Sequence, residues 1–282
     1  MAPALGMLSG GLTAFGAEPR SVLVPTLVYN LVLGTLMAAV LNAGSNGINQ
    51  IYDLRVDAVN KPHRPLPSGR LSLFEAHLFS WTAVALALAM AWTINATCFL
   101  LAFTATVFTV GYSMPPLRTK ARGVWANITI CIPRGMLLKV AGWSTVKTVA
   151  AVEPWFIGLI FGLFLLGASS TKDFADIRGD RAGGCRTLPI LYGVRRAVWM
   201  IAPSFLLPFL LMPAGVGAGI LTGNGLLLVL FGLTLCLWGS YVVYLMLRDP
   251  EAMTSGENHP SWRHMYLMMV ATQIGFIVAY LL

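Results

Sequence analysis

Charge is scarce in this chain: only 11% of its 282 residues are Asp, Glu, Lys or Arg, against about 25% in an ordinary soluble domain. A water-facing surface cannot be built from so few charges, which excludes a soluble globular fold. Cysteine is sparse as well. Cys98, Cys131, Cys185 and Cys236 are scattered and lack the CxxC or Cys/His spacing of a disulfide framework or zinc site. Cys98, Cys131 and Cys236 lie in apolar runs, where a thiol acts as a small hydrophobe. The N-terminus lacks the charged segment of a cleavable signal peptide. Period-two alternation is missing too, which argues against an outer-membrane barrel.

What is present is apolar. Hydrophobic residues make up 57% of the chain, and the mean hydropathy is +0.73. A helix needs about 20 mostly apolar residues to cross a bilayer. Suitable runs fall at 21–52, 74–94, 96–114, 124–146, 154–173, 195–213, 225–247 and 262–282. The run Met1 to Phe15 is shorter and reads either as a half-crossing or as a first helix truncated at its start. The expected fold is all-α: a polytopic membrane protein with about nine helices around a central cavity, residues 1–282 forming a single domain. Inside a bilayer each backbone amide must be satisfied internally, which makes each run a helix.

The connecting segments alternate in charge. One set carries 15 of the 19 basic residues, from Arg55, Lys61 and Arg64 through Arg118, Lys120 and Lys172 to Arg248 and Arg263. The opposite set holds only Arg20 and Lys147. The positive-inside rule places the basic set in the cytoplasm. The net charge of +8 therefore reads as topology plus anion binding, with no need for nucleic acid.

Of the 11 acidic residues, five form two clusters. The first is Asn49-x3-Asp53-x3-Asp57; the second is Asp173-x2-Asp176-x3-Asp180. On a helix each spacing puts its members on one face. Carboxylates one turn apart repel unless a cation lies between them, and Mg²⁺ is typically held by one or two carboxylates plus substrate phosphates. Two facing acidic helix ends would grip one diphosphate through Mg²⁺. The competing reading makes them ordinary helix-end acids paired with nearby arginines, and Arg55 and Arg178 are expected to make local ion pairs in either case. Lys61 and Arg64 follow the first cluster, Lys172 and Arg181 flank the second, and Tyr112, Arg118 and Lys120 lie between. Lysine and arginine are natural phosphate partners, and as a set these side chains read as a pyrophosphate cradle.

Arg134 and Lys139 fall within an expected span, so each needs a partner, a water-filled cavity or a route to the interface. They read either as acceptor or phosphate contacts or as snorkelling side chains. Trp143, Trp155 and Trp262 lie near span ends and read as interfacial anchors. His77 and His264 stand alone and read as packing or surface residues, and Met265, Met268 and Met269 as apolar filler.

The run Asn49-Gln50-Ile51-Tyr52-Asp53-Leu54-Arg55-Val56-Asp57, continuing through Arg64-Pro65-Leu66-Pro67-Ser68-Gly69, resembles the NxxxDxxxD signature of the UbiA superfamily of intramembrane prenyltransferases. Lys172-Asp173-Phe174-Ala175-Asp176-Ile177-Arg178-Gly179-Asp180 is similar to that family's second aspartate motif, and Tyr112 and Lys120 sit where it has a tyrosine–lysine loop. The resemblance covers nearly the whole chain. Within the family, Tyr112 to Lys120 and Asp57 to Gly69 look most like the branch of chlorophyll synthases and archaeal digeranylgeranylglyceryl phosphate synthases. Many relatives have Asn-Asp where this chain has Asn49-Gln50, which removes one possible acidic contact, and the arginine-proline start of the first helix is missing. The tyrosine–lysine spacing is also longer than usual, which places Arg118 to share or replace the role of Lys120.

The resemblance implies a Mg²⁺-dependent reaction in which a prenyl diphosphate ionises and a lipophilic acceptor captures the allylic carbon. That acceptor is a quinone precursor, a tetrapyrrole or a glyceryl lipid. Asn49, Asp53 and Asp57 would bind one metal ion, and Asp173, Asp176 and Asp180 the other. Asn49, Lys61, Arg64, Arg118, Lys120 and Lys172 would contact the diphosphate. Tyr112 is a candidate for cation–π support of the developing charge. The prenyl tail would lie between helices, open to membrane lipid. Two other readings compete: a terpene cyclase on the same fold, acting without an acceptor, and a transporter with acidic ion sites.

Overall fold

Each long apolar run folds into a helix, with several of the ends set by local capping chemistry. The computed structural model describes residues 2–254 and 259–282. In chain order the helices are α1 (Ala2–Gly16), α2 (Pro25–Tyr52), α3 (Leu54–Asn60), α4 (Leu73–Ile94) and α5 (Ala96–Ser113). There follow α6 (Val124–Ser144) and α7 (Val152–Phe174), α8 (Ile177–Ala182), α9 (Val194–Gly217), α10 (Gly225–Arg248) and α11 (Pro260–Leu281). Ser72 and Glu75 form a reciprocal capping box at the start of α4, satisfying two otherwise unpaired N–H groups. The Asn95 side chain caps α5 by accepting from the Cys98 N–H, and it also donates to the Ser144 carbonyl at the end of α6. Proline at the first position starts α2 and α11, where its missing N–H costs nothing.

Eight helices among the described residues are long and apolar enough to cross a membrane, matching the eight long runs expected from sequence. The protein is an integral, multi-pass membrane protein. The ninth expected segment is α1, a helix of 15 residues packed against α2, α6 and α11. Val28, Leu36, Leu86, Leu100 and Leu237 are exposed on the outside of the bundle, as lipid contact requires.

Buried side chains form two main clusters. Met7, Met37, Ala87, Leu101 and Val140 join α1, α2, α4, α5 and α6. Ile160, Phe164, Phe205, Leu235 and Phe276 join α7, α9, α10 and α11. Lipid tails are as apolar as leucine, so helix contacts here rest on close packing of small residues. At the crossing of α1 and α6, a Cβ on Gly10 would stand 2.6 Å from the Lys139 carbonyl and 3.0 Å from Gly142 Cα.

Two spans are less regular than their apolar runs predict. In α6 the residues Ile132–Leu137 form a π-helical turn. Pro133 cannot donate to the ordinary ladder, and the wider turn lets the Leu138 N–H reach the Pro133 carbonyl. In α9 the prolines Pro203 and Pro208 accompany a 3₁₀ turn at Ala202–Phe205. Trp143 also departs from expectation: it is a buried core residue whose indole N–H donates to the Thr148 carbonyl, not an interfacial anchor.

Three cavities with shared lining residues lie within the bundle. One of about 160 Å³ is lined by α6, α7 and α11, including Arg134, Phe161, Lys172, Trp262 and Gln273. A second, of about 70 Å³, lies between α1, α2, α5 and α6. A third, of about 60 Å³, opens among Lys61, Lys172, Asp176 and His259.

Candidate active site

The first acidic cluster lies where α2 ends. Its backbone ladder continues through the break, since the Asp53 N–H donates to the Asn49 carbonyl at 2.9 Å and the Asp57 N–H to the Asp53 carbonyl at 2.8 Å. The expected i, i+4 relation therefore survives. Asp53 and Asp57 are both buried. The Asn49 side-chain amide donates to the Ser113 hydroxyl at 3.3 Å, fixing this helix end to α5.

The second cluster does not sit on one regular helix, as its spacing predicts. Residues Ser169–Phe174 form a 3₁₀ turn, and α8 begins only at Ile177. Tightening from 3.6 to three residues per turn rephases the side chains, so the three aspartates diverge. Asp180 is buried and faces Lys120 at 3.9 Å. Asp176 is half-buried and pairs with Lys61 at 3.4 Å. Asp173, on the last turn of α7, is half-buried and makes no ion pair among the described residues. Arg55 and Arg178 likewise make no ion pair among the described residues, contrary to expectation.

Two side chains bring the clusters together. Asn60, at the end of α3, donates to the Asp176 carbonyl at 3.0 Å and accepts from the Gly179 N–H at 2.9 Å. Only glycine fits at 179, because a Cβ there would collide with the Asn60 amide. Lys120 forms the second link. Its amine pairs with Asp53 of the first cluster and lies 3.9 Å from Asp180 of the second. Sequence reasoning did not single out Asn60 or Gly179. The available signal was an amide one turn after Asp57 and a glycine inside the second acidic run.

The loop after α5 carries Arg118 in a left-handed conformation, φ 35°, followed by a short 3₁₀ turn, Thr119–Ala121. This path folds the longer tyrosine–lysine spacing back on itself and directs both cations at Asp53, with the Arg118 guanidinium 4.0 Å from its Oδ1. That Oδ1 atom is buried without a hydrogen-bond partner, as are Arg118 Nε and Thr119 Oγ1. Arg64 pairs locally with Asp57 at 2.7 Å. Lys61, Lys172 and Asp176 share the third cavity, and Lys172 also lines the first.

The electrostatics combine burial with pairing of opposite charges. Burial disfavours charge on Lys120, but the fields of Asp53, Tyr112 and Asp180 outweigh it and raise the amine above its ordinary value. Burial pushes the Asp180 carboxyl up to about 6, against the attraction of Lys120. Among the described residues no three acids or histidines close around a single point as a metal cage. The acids are instead spread around a gap spanned by lysine.

The deeper polar residues behave differently. Lys139 does not snorkel: it is buried, pairs with the Gln273 side chain, donates to Ser9 Oγ at 2.7 Å and lies 4.1 Å from the centre of the Phe161 ring. Arg134 donates to Asn46 Oδ1 at 3.0 Å and lines two cavities.

Residues 7–272 match the family model described as UbiA prenyltransferase family. The chain belongs to the UbiA prenyltransferase family. It is an intramembrane prenyltransferase. The digeranylgeranylglyceryl phosphate synthase of Methanopyrus kandleri is 35% identical over 219 residues, covering 76% of this chain and 75% of the relative. The bacteriochlorophyll synthase 34 kDa chain of Chloroflexus aurantiacus is 32% identical over 182 residues, covering 63% of this chain and 57% of the relative. The fold is shared with a UbiA homolog from Archaeoglobus fulgidus bound to DMAPP and Mg²⁺, at TM-score 0.72 and 20% identity, covering 98% of this chain and 96% of that one.

Proposed function

We propose that residues 1–282 form one catalytic domain whose two acidic clusters hold a single prenyl diphosphate with Mg²⁺, for transfer of the prenyl group to a lipophilic acceptor. The observation carrying this reading is Lys120, which spans Asp53 and Asp180 from opposite halves of the chain. A cation held between two buried acids, with Arg118 beside one of them, marks a place suited to phosphate oxygens and divalent ions. Mg²⁺ fits the donor set because it keeps few carboxylates and completes its shell with phosphate oxygens and water. The unpartnered Asp53 Oδ1 is an available ligand atom. Asn49, Asp53 and Asp57 would hold one ion; for the other, Asp180 already faces Lys120 beside Asp53, and Asp173 and Asp176 would turn toward it from their present directions. When bound, Mg²⁺ supplies electrostatic stabilisation of the leaving diphosphate.

The protein's own groups do the rest. Lys61, Arg64, Arg118, Lys120 and Lys172 take phosphate oxygens, by rotating away from the acids they now pair with or from positions already facing the cavities. Their charge matters most as the allylic C–O bond breaks and negative charge builds on the departing oxygen. The allylic cation needs shelter from water, which the cavity walls Phe161, Leu165, Trp262 and Met265 provide. Tyr112 contributes its electron-rich ring beside this charge.

Two relatives inform the acceptor class, since the M. kandleri enzyme is named for a glyceryl phosphate lipid and the C. aurantiacus enzyme for bacteriochlorophyll. The basic loops lie on the cytoplasmic side by the positive-inside rule, so the diphosphate enters from the cytoplasm and the prenyl tail from the lipid.

Product analysis by mass tests this reading. Purified protein with geranylgeranyl diphosphate, Mg²⁺ and a panel of acceptors is expected to yield a prenylated acceptor. A cyclic hydrocarbon or alcohol formed without acceptor would instead establish the cyclase reading.

A further inference from the structure

Arg134 is a cation in the wrong place for a purely structural role. It lies ten residues from either end of α6, about 15 Å along the helix axis from each end, and so near the bilayer midplane. A charge at that depth is expensive and marks a functional site by default. No carboxylate pairs with it among the described residues, and its one hydrogen bond there is to Asn46 Oδ1 at 3.0 Å. Its surroundings are the cavities: Arg134 lines both the 160 Å³ and the 70 Å³ space. It projects from the π-helical turn Ile132–Leu137, a feature that often marks functional positions.

It lies deeper than the acids of the diphosphate cradle, and it shares the 160 Å³ cavity with Lys172. Asn46, its partner, precedes Asp53 by seven residues on α2, which is about 10 Å deeper along the axis. A diphosphate gripped at Asp53 and Asp180 places its reacting carbon between the two levels. A nucleophile approaching that carbon from the cavity carries the rest of the acceptor toward Arg134.

We propose that Arg134 reads an anionic group, carboxylate or phosphate, on the acceptor, and so sets acceptor specificity. The inference rests on the transferase reading above. A planar guanidinium with free N–H groups suits a bidentate oxyanion. The polar wall facing it from α2, Asn42 and Ser45, supplies neutral hydrogen-bonding groups and no competing acid.

The test pairs charged with uncharged probes: 4-hydroxybenzoate with its methyl ester, and a monoprenyl glyceryl phosphate with the corresponding alcohol. Binding to the purified protein is measured first, without donor, so that the result is independent of turnover. The parent chain is expected to bind the charged member of one pair more tightly, by roughly 30-fold for a desolvated charge pair. Which pair discriminates tells carboxylate from phosphate. Arg134→Gln is expected to abolish the preference, and Arg134→Lys to restore part of it. In turnover, Arg134→Gln raises acceptor KM while geranylgeranyl diphosphate binding stays within about twofold. No charge preference in the parent, or an unchanged preference in a folded Arg134→Gln protein, overturns the inference. An equal loss of diphosphate affinity also overturns it, by reassigning Arg134 to the donor. Failure of the parent to release pyrophosphate with any acceptor would contradict the transferase reading, while the binding comparison still decides the role of Arg134.

Discussion

Asn60 and Gly179 form the clasp of the site: one side-chain amide donates to the Asp176 carbonyl at 3.0 Å and accepts from the Gly179 N–H at 2.9 Å. Through this contact α3 and α8, each only two turns or less, hold the two acidic segments in register across 119 residues of sequence.

Asn60→Ala removes both bonds and leaves the Gly179 N–H unpaired in a part-buried setting, while the Asp176 carbonyl keeps its bond from the Asp180 N–H at 2.9 Å. A stability loss of about 1–3 kcal/mol is expected, with a fall in kcat larger than the loss of folded protein explains. Thermal melts and kinetics on the same preparation check this, and an Asn60→Ala protein with parental kcat would remove the clasp from the account.

Lys120→Met leaves Asp53 and Asp180 facing each other without their shared cation. Removing one partner of a buried ion pair typically costs about 3–5 kcal/mol. Mg²⁺ should recover part of that stability by replacing the missing charge, whereas diphosphate affinity stays impaired. Melting temperature with and without Mg²⁺ is the readout, and no recovery by metal would count against the acids as its ligands.

Asp180 gives a pH-dependent test. Its folded-state value, about 6, lies above the ordinary 3.8. Charging this carboxyl therefore opposes folding: the penalty is absent below the ordinary value and complete above about pH 6. Metal-free Asp180→Asn should be more stable than the parent at pH 7.5 and differ little from it near pH 4, while losing turnover at both. A stabilisation confined to low pH would contradict the burial argument.

At the opposite end of α7 from Asp173, buried Glu153 accepts from the Thr222 N–H at 2.7 Å, the Thr222 hydroxyl at 2.9 Å and the Tyr280 hydroxyl at 2.6 Å. It ties α7 to the α9–α10 connection and to α11. Glu153→Ala should destabilise the protein by about 3 kcal/mol or more through unpaired donors while leaving KM for both substrates unchanged in the surviving folded fraction. A large KM change would make this cluster part of the binding machinery.

The spans were legible because length and apolarity alone decide what crosses a bilayer, and the eight long helices follow the eight long runs. The first acidic cluster was legible for a similar reason, since the helical ladder runs through Asp53 to Asp57. The second was legible in composition but not in geometry. A 3₁₀ turn at Ser169–Phe174 leaves no periodic trace in six residues, so the divergence of Asp173, Asp176 and Asp180 had no sequence signal. Trp143 was misplaced because an indole near a span end looks the same in sequence whether it faces lipid or core. Arg134 and Lys139 share a span and a charge, yet one opens to cavities and the other is enclosed by Ser9, Gln273 and Phe161. That difference arises only from tertiary packing.

The central claim is that the two acidic clusters make one diphosphate site. The most direct measurement is Mg²⁺-dependent binding of geranylgeranyl thiodiphosphate, an unreactive donor analogue, to the parent, Asp53→Asn, Asp180→Asn and the double variant. A single shared site predicts that each substitution alone removes most of the affinity and that the double variant is scarcely worse than either, a strongly non-additive cycle. Losses that simply add, or binding that survives without Mg²⁺, would contradict it.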